Sequence, residues 1–326
     1  MTLTKKKKQV KAKTKVKAKP KTKAKKVVKT KAPATKTSAG KKAEPKSKPA
    51  RRPKARQFVK MQAVGNDAIV LDCLKTAVAN PTHTARKLCN RHTGIGADQL
   101  MLLTKSRKAD FGVRFFNPDG SEPGMCGNGI RCIARYVKDW GLSAKKQLTF
   151  ETSSGIKPVN IRGKMIDVDM GEPRMKGKEI PVNLSGRVIN RPLKLETKDF
   201  RITCLNVGNP HCIIFQEDLA EFDINRFGPM IEHHHVFPKR ANVSFVNVVS
   251  RNEIYMRVWE RGVGETLGCG TGASAATVAS VLNGFTGRKV LVHLPGGKLE
   301  VEWNRKDNHI TMSGPAEVVF VGEIAI

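Results

Sequence analysis

Two cysteine-glycine loops, Met125-Cys126-Gly127-Asn128-Gly129 and Gly268-Cys269-Gly270-Thr271-Gly272, hold their cysteines 143 residues apart. The same offset carries Gly65-Asn66 onto Gly208-Asn209, Gln99 onto Asn242, Arg114 onto Arg257, Asn117 onto Glu260, Glu122 onto Glu265 and Gly141 onto Gly284. With a one-residue slip, Met170 and Pro173 fall on Met312 and Pro315. One match means little, but this many at one offset mark an internal duplication. The period is too long for a solenoid. It fits two similar domains facing each other across a cleft.

Each copy follows one plan. Apolar, β-rich runs surround the Gly-Asn turn, at Ala68–Leu71 and at Cys212–Phe215. A further strand leads to each loop, Gly112–Phe116 and Ile254–Trp259. A helix follows: Ile130, Ile133, Ala134 and Val137 recur with helical spacing after Cys126, and Ala273–Leu282 is alanine-rich after Cys269. Gly141 and Gly284 stand where helix C-caps would. Strands return at Val290–Leu294 and Lys298–Trp303. The expected fold is α/β, with two pseudo-symmetric domains, each a mixed, mainly antiparallel sheet wrapped around a central helix.

The charge is uneven. Of the 60 Lys and Arg residues, 24 lie in residues 1–56, opposed there by Glu44 alone, so the net charge of +32 describes mostly that segment. Like charges at that density repel, and little apolar surface offsets the entropy of ordering, so residues 1–56 are expected to be a disordered Lys-rich tail. The plain reading of such a tail is a solvated extension; the sharper one is contact with nonspecific nucleic acid or another polyanion, because lysine runs neutralise phosphates without reading sequence. No apolar run approaches the roughly 18–20 residues of a membrane span, so no membrane partner is expected. Seven cysteines, an odd number at low density, argue against a disulfide scaffold and for a reducing, cytoplasmic compartment.

Cys126 and Cys269 each precede a helix, where unpaired backbone N–H groups and the positive helix end gather. Such a place lowers a thiol pKa toward neutrality and also holds a carboxylate without a side-chain base. Two thiols flanking one anion site suit the removal of a proton from one face of a carbon and its return to the other.

The chain is similar to the diaminopimelate epimerase family, the cofactor-independent two-cysteine epimerases of lysine and peptidoglycan-precursor biosynthesis. The resemblance rests on Gly65-Asn66-Asp67, Gly94-Ile95-Gly96-Ala97-Asp98-Gln99, Phe116-Asn117-Pro118-Asp119-Gly120, Cys126-Gly127-Asn128-Gly129-Ile130-Arg131-Cys132, Gly208-Asn209-Pro210-His211-Cys212, Glu260-Arg261-Gly262-Val263-Gly264-Glu265 and Cys269-Gly270-Thr271-Gly272. It implies Cys126 and Cys269 as thiolate base and thiol acid, with roles that swap in the reverse direction. It implies that the substrate α-carboxylate rests on Gly127, Asn128, Gly270 and Thr271. Asn66, Gln99 and Glu260 would surround the reacting amine. Asn117, Asn209, Asn242 and Arg261 would grip the distal end, and His211 and Glu260 would help set thiol protonation. It further implies no cofactor, a homodimer, and domains at 57–172 and 173–314, with a last strand at about 315–326 returning to the first. No exposed stripe in the sequence shows the dimer.

Bland readings remain for other residues. Cys73, Cys89, Cys132, Cys204 and Cys212 lack metal spacing and read as packing. His233-His234-His235 reads as a surface loop, because three adjacent residues converge poorly on one ion. Glu122 and Glu265 read as holding the loop ahead of each cysteine. Val64, Ala68 and Ala97 depart from the family pattern beside the expected site, as do Pro118 and Ser274 outside it. The alternatives are a proline or hydroxyproline racemase or epimerase of the same fold and, in another class, a polyanion-binding protein.

Overall fold

The computed structural model describes residues 55–325, so the tail, up to residue 54, lies outside the described residues. In the first copy, β1 (Ala55–Ala63) and β2 (Asn66–Asp72) form a hairpin. Its turn is Val64-Gly65, with φ of 55° and 78°. Two left-handed residues make the type I′ geometry that matches strand twist. Glycine takes that φ freely, but a β-branched valine is strained there. The strain lies directly before Asn66.

The chain then passes through α1 (Pro81–Cys89) to β3 (Gln99–Thr104), parallel to β2, and back through β4 (Phe111–Phe116). Helix α2 (Gly127–Asp139) leads to β5 (Gln147–Thr152), parallel to β4, then to the antiparallel β6 (Gly155–Arg162) and β7 (Met165–Asp169). Parallel pairs need a crossover, and α1 and α2 supply them.

The second copy repeats this order: β8 (Arg191–Lys194), β9 (Asp199–Asn206), β10 (Pro210–Phe215), α3 (Ile224–Glu232), β11 (Asn242–Ser250) and β12 (Glu253–Glu260). A short β13 (Gly264–Thr266) precedes α4 (Gly270–Leu282), followed by β14 (Lys289–Leu294), β15 (Gly297–Trp303) and β16 (Ile310–Pro315). The parallel pairs again fall at the crossovers, β10 with β11 and β12 with β14. The last strands of the two copies, β7 and β16, pair antiparallel and join the sheets. The final strand, β17 (Glu317–Ala325), pairs antiparallel with β1.

Both cysteine helices end as their glycines imply. Leu142 N–H reaches Val137 O and Gly141 N–H reaches Lys138 O, while Phe285 and Gly284 repeat the pattern on Ser280 and Val281. Gly141 and Gly284 have φ of 64° and 75°. These are paired Schellman caps. Helix α4 is buried on nearly all sides, its Ala, Val, Ser and Thr residues alike, which explains its lack of a polar face. One core spans both helices and the inner sheet faces. Smaller clusters lie under α3 and α1.

Candidate active site

The two cysteines are the N-cap residues of α2 and α4. The Cys126 sulfur accepts from Gly129 N–H at 3.3 Å, and its thiol points to Asn66 Oδ1 at 3.8 Å. Cys269 lies 3.5 Å from the Thr271 hydroxyl. Both thiols are free. The helix starts converge on one residue of β16. A Cβ added to Gly127 would sit 3.1 Å from Met312 Cε, and one on Gly270 would sit 2.8 Å from Met312 Sδ. Side chains at these positions would have to displace the end of Met312, so glycine after each cysteine lets both helix starts pack closely on it. Asn128 bridges them, with Nδ2 donating to Gly268 O at 3.1 Å.

Burial overturns one expectation. The helix starts do not bring the thiols toward neutrality in this structure. Desolvation raises Cys126 above the ordinary thiol value, against the N–H groups of Gly129 and Asn128. Cys269 is raised well above it by burial and then by the Glu260 charge, against the Thr271 hydroxyl and Gly272 N–H. Losing water costs a thiolate more than a few dipoles return. Glu260 is itself raised by burial, opposed by the Thr266 hydroxyl, whose hydrogen bond to Oε1 is 2.5 Å, and by Cys269. Its charge is felt at both sulfurs.

The other expected residues form two groups. In the first copy, Asn66 Nδ2 donates to Asp98 at 2.9 Å. Gln99 Nε2 reaches Asn117 Oδ1 at 3.5 Å, and Asn117 Nδ2 donates to Ser121 at 3.0 Å. In the second copy, His211 Nε2 lies 2.8 Å from Asn209 Oδ1 and pairs in register with Asn242 across β10 and β11. Asn242 donates to Pro210 O and accepts from Arg261 N–H, both at 3.0 Å. The exposed Arg261 guanidinium donates to Lys239 O at 3.1 Å. His211 is fully buried and pushed down to about 3 by desolvation and then by Arg261, so it is neutral. Among the described residues, no hydrogen bond joins it to either thiol. Two atoms of this set, Gln99 Oε1 and His211 Nδ1, are buried without a partner among the described residues. Unpaired buried polar atoms are costly and call for a polar ligand or water.

Four supporting residues were not assigned roles from sequence. Asp98 orients Asn66. Asp67, beside it, is raised by burial but held at about 2 by hydrogen bonds from Arg91 and Lys60. Glu232, buried, accepts from Trp259 Nε1 at 2.8 Å and Gly262 N–H at 2.9 Å, which sets the loop carrying Arg261. Arg131 is wholly buried. It donates to Asn128 Oδ1 at 2.9 Å, Gly127 O at 3.3 Å and Pro315 O at 3.4 Å. No carboxylate pairs with it among the described residues, and desolvation lowers it to about 10. An unpaired cation sits beside the positive end of α2, where the macrodipole disfavours it. The signal for Arg131 was present in the loop motif, but its isolation is visible only in three dimensions.

One expectation outside the site is plain in the geometry. Glu122 and Glu265 are each held by a two-pronged guanidinium, Arg114 at 2.8 and 2.7 Å and Arg257 at 2.7 and 3.1 Å. These equivalent forks brace the segments ahead of the cysteines. No metal-holding cluster of His, Cys, Asp or Glu occurs among the described residues, and His233–His235 lie at the end of α3. Val64, Ala68 and Ala97 are all buried. The Val64 carbonyl backs onto Gly268 and Gly296, so the departure at Val64 packs directly against the Cys269 loop.

A family model described as diaminopimelate epimerase matches residues 58–176 and 203–319, one block in each copy. The diaminopimelate epimerase of Acetivibrio thermocellus is 47% identical over 274 residues, covering 82% of this chain and 98% of that protein. That of Pelotomaculum thermopropionicum is 49% identical over 275 residues, with coverage of 82% and 98%. Among solved structures, a hydroxyproline epimerase from Agrobacterium vitis is 14% identical with a TM-score of 0.62, covering 83% of this chain and 93% of that one. This likeness concerns the fold alone. Identity near one half along almost the full length of the relatives goes further than fold: the chain belongs to the diaminopimelate epimerase family.

Proposed function

We infer that the chain interconverts LL-2,6-diaminopimelate and meso-diaminopimelate, an isomerase reaction, by a two-base thiol mechanism without a cofactor. One observation carries the mechanism: equivalent helices of a duplicated fold begin with cysteine N-caps and converge on Met312. The substrate α-carboxylate rests on the N–H groups of Gly127, Asn128, Gly270 and Thr271, facing both positive helix ends. Arg131 supplies the buried counter-charge. Asn66, Gln99 and Glu260 surround the α-ammonium, whose positive charge offsets the burial that raises the thiols. One sulfur, as thiolate, takes the α-proton. The other, as thiol, delivers a proton to the opposite face, and the pair ends with its protonation exchanged. Fixed N–H dipoles stabilise the carbanion-like transition state in place of an electron sink.

The distal amino-acid end meets Asn117, Asn209, Asn242 and Arg261. A proline-type substrate has no second amino-acid end to use this set, which favours diaminopimelate. An assay in D2O with LL-diaminopimelate, reductant and no pyridoxal phosphate tests the reading. Deuterium enters at the inverted carbon of the meso product. No conversion by folded, reduced protein overturns it.

The domains divide at about 172/173, with β17 returning to the first. The dimer forms through β17, where Val318, Val319, Phe320 and Val321 are 37–54% exposed on a strand paired on one side by β1. Long exposed apolar edges are otherwise covered or blunted. Phe320→Asp is expected to yield a monomer by sedimentation; an unchanged dimer rejects this interface. The tail adds salt-dependent contact with nucleic acid. A chain beginning at Gln57 loses that affinity at low salt; equal affinity rules the tail out. No helix among the described residues is long and apolar enough to cross a membrane. Seven free thiols support a cytoplasmic setting, which cell fractionation tests: recovery in an oxidising compartment overturns it.

A further inference from the structure

A cavity of about 1010 Å³ opens at the C-terminal end of α2 and shares no lining residue with the thiol site. Its floor is Val59 and Val70 of the β1–β2 hairpin, one wall is Tyr136 and Trp140 of α2, and the segment at Leu74–Asn80 closes another side. The two aromatic rings stack with centroids 4.6 Å apart. With 13 residues at about 1.5 Å each, α2 separates this cavity from Cys126 by about 20 Å.

The duplicated fold provides an internal comparison. At the corresponding end of α4, Asn283 occupies the position of Trp140. Its Nδ2 donates to Thr203 Oγ1 at 3.0 Å, tying the helix end to β9, and Phe285 packs edge-on against Phe215 at 4.7 Å. Ala279 stands where Tyr136 would. One copy thus stitches this end shut with side chains, while the other leaves a space lined by aromatic rings.

Polar residues also line the space. Tyr136 is 5% exposed, yet among the described residues nothing hydrogen-bonds its hydroxyl. Arg56 donates to the carbonyls of Asp72, Thr76 and Ala77, but neither it nor Lys75 has a carboxylate partner among the described residues. The one acid in the lining, Asp72, has Oδ1 engaged by Leu74 N–H at 2.8 Å. Arg56 and Lys75 against the single acid Asp72 leave the lining net positive. An apolar pocket of this size with a few convergent polar groups is the usual form of a small-molecule site.

We propose that this cavity binds a small amphipathic carboxylate, its ring or branched tail against Val59, Val70 and Trp140 and its carboxylate at the Tyr136 hydroxyl, Arg56 and Lys75. The proposal is independent of the thiol chemistry, because it is read by binding alone. Indole-3-propionate is titrated into the full chain by calorimetry. Saturable binding is expected, weakened at least about fivefold by Tyr136→Phe and by Lys75→Gln, the scale of one lost hydrogen bond or charge contact. Ala77→Trp, which fills the space from an exposed loop, abolishes it, and each variant keeps the parent Tm. Tryptamine, the same ring with opposite charge, binds at least tenfold more weakly. No heat at millimolar ligand, equal binding of the two compounds, or binding unchanged in the three variants overturns the proposal.

Discussion

Replacing Cys126 or Cys269 by alanine is expected to lower kcat for epimerisation by about 10²- to 10⁴-fold, the range of a positioned acid or base. Each variant still holds one sulfur on one face. Each therefore exchanges the α-hydrogen of one stereoisomer with D2O while failing to invert it, and the two variants choose opposite stereoisomers. Chiral analysis with mass detection of α-deuterium reads both outcomes. A variant that inverts at most of the parent rate sinks the two-base mechanism. The electrostatics add a pH test. Burial raises both thiols in the free enzyme, and the Glu260 charge raises them further. The thiolate is the proton acceptor, so kcat/KM climbs as pH rises from neutrality. Glu260→Gln removes a negative neighbour and lowers the thiol pKa, so the climb moves to lower pH even if the maximum falls. A limb that stays in place, or moves up, assigns Glu260 no part in thiol protonation.

Arg131→Met is the second large effect, and its two readouts are expected to part. Removing an uncompensated buried charge relieves desolvation, while the lost donors leave Asn128 Oδ1 and Pro315 O unpaired. The relieved desolvation and the cost of the unpaired acceptors oppose each other. Tm is therefore expected to stay within a few degrees. Loss of the counter-charge for the bound carboxylate costs about 2 kcal/mol or more, so kcat/KM falls roughly 30-fold or further. Arg131→Lys keeps the charge but not the planar fork and recovers part of the loss. Differential scanning and steady-state kinetics on the two variants suffice. A large fall in Tm with kcat/KM preserved would make Arg131 a structural residue alone.

The offset of 143 residues, read along the chain alone, located the duplicated helices, their cysteine caps and their glycine ends. Those features are legible because capping and helical periodicity are local. The short helices α1 and α3 escaped notice, although Asn80 before Pro81 and Asp223 before Ile224 are their N-caps. Nine residues each carry too few turns for an apolar stripe to stand out. Their caps are visible only once the helices are known.

The repeat, the mixed sheets, the pair of thiols and the family to which the chain belongs can all be read along the chain. Each is written in residues near one another or at one constant spacing. Tertiary structure alone decided that the thiols are raised rather than lowered, since desolvation depends on what covers a sulfur and not on its neighbours in sequence. It decided that Arg131 has no counter-ion, that β7 meets β16, and that Val318–Val321 stand exposed along β17. It also decided that equivalent helix ends close differently, one stitched by Asn283 and the other open beside Trp140. These are properties of non-local contact, where burial and pairing are set by segments far apart in the chain.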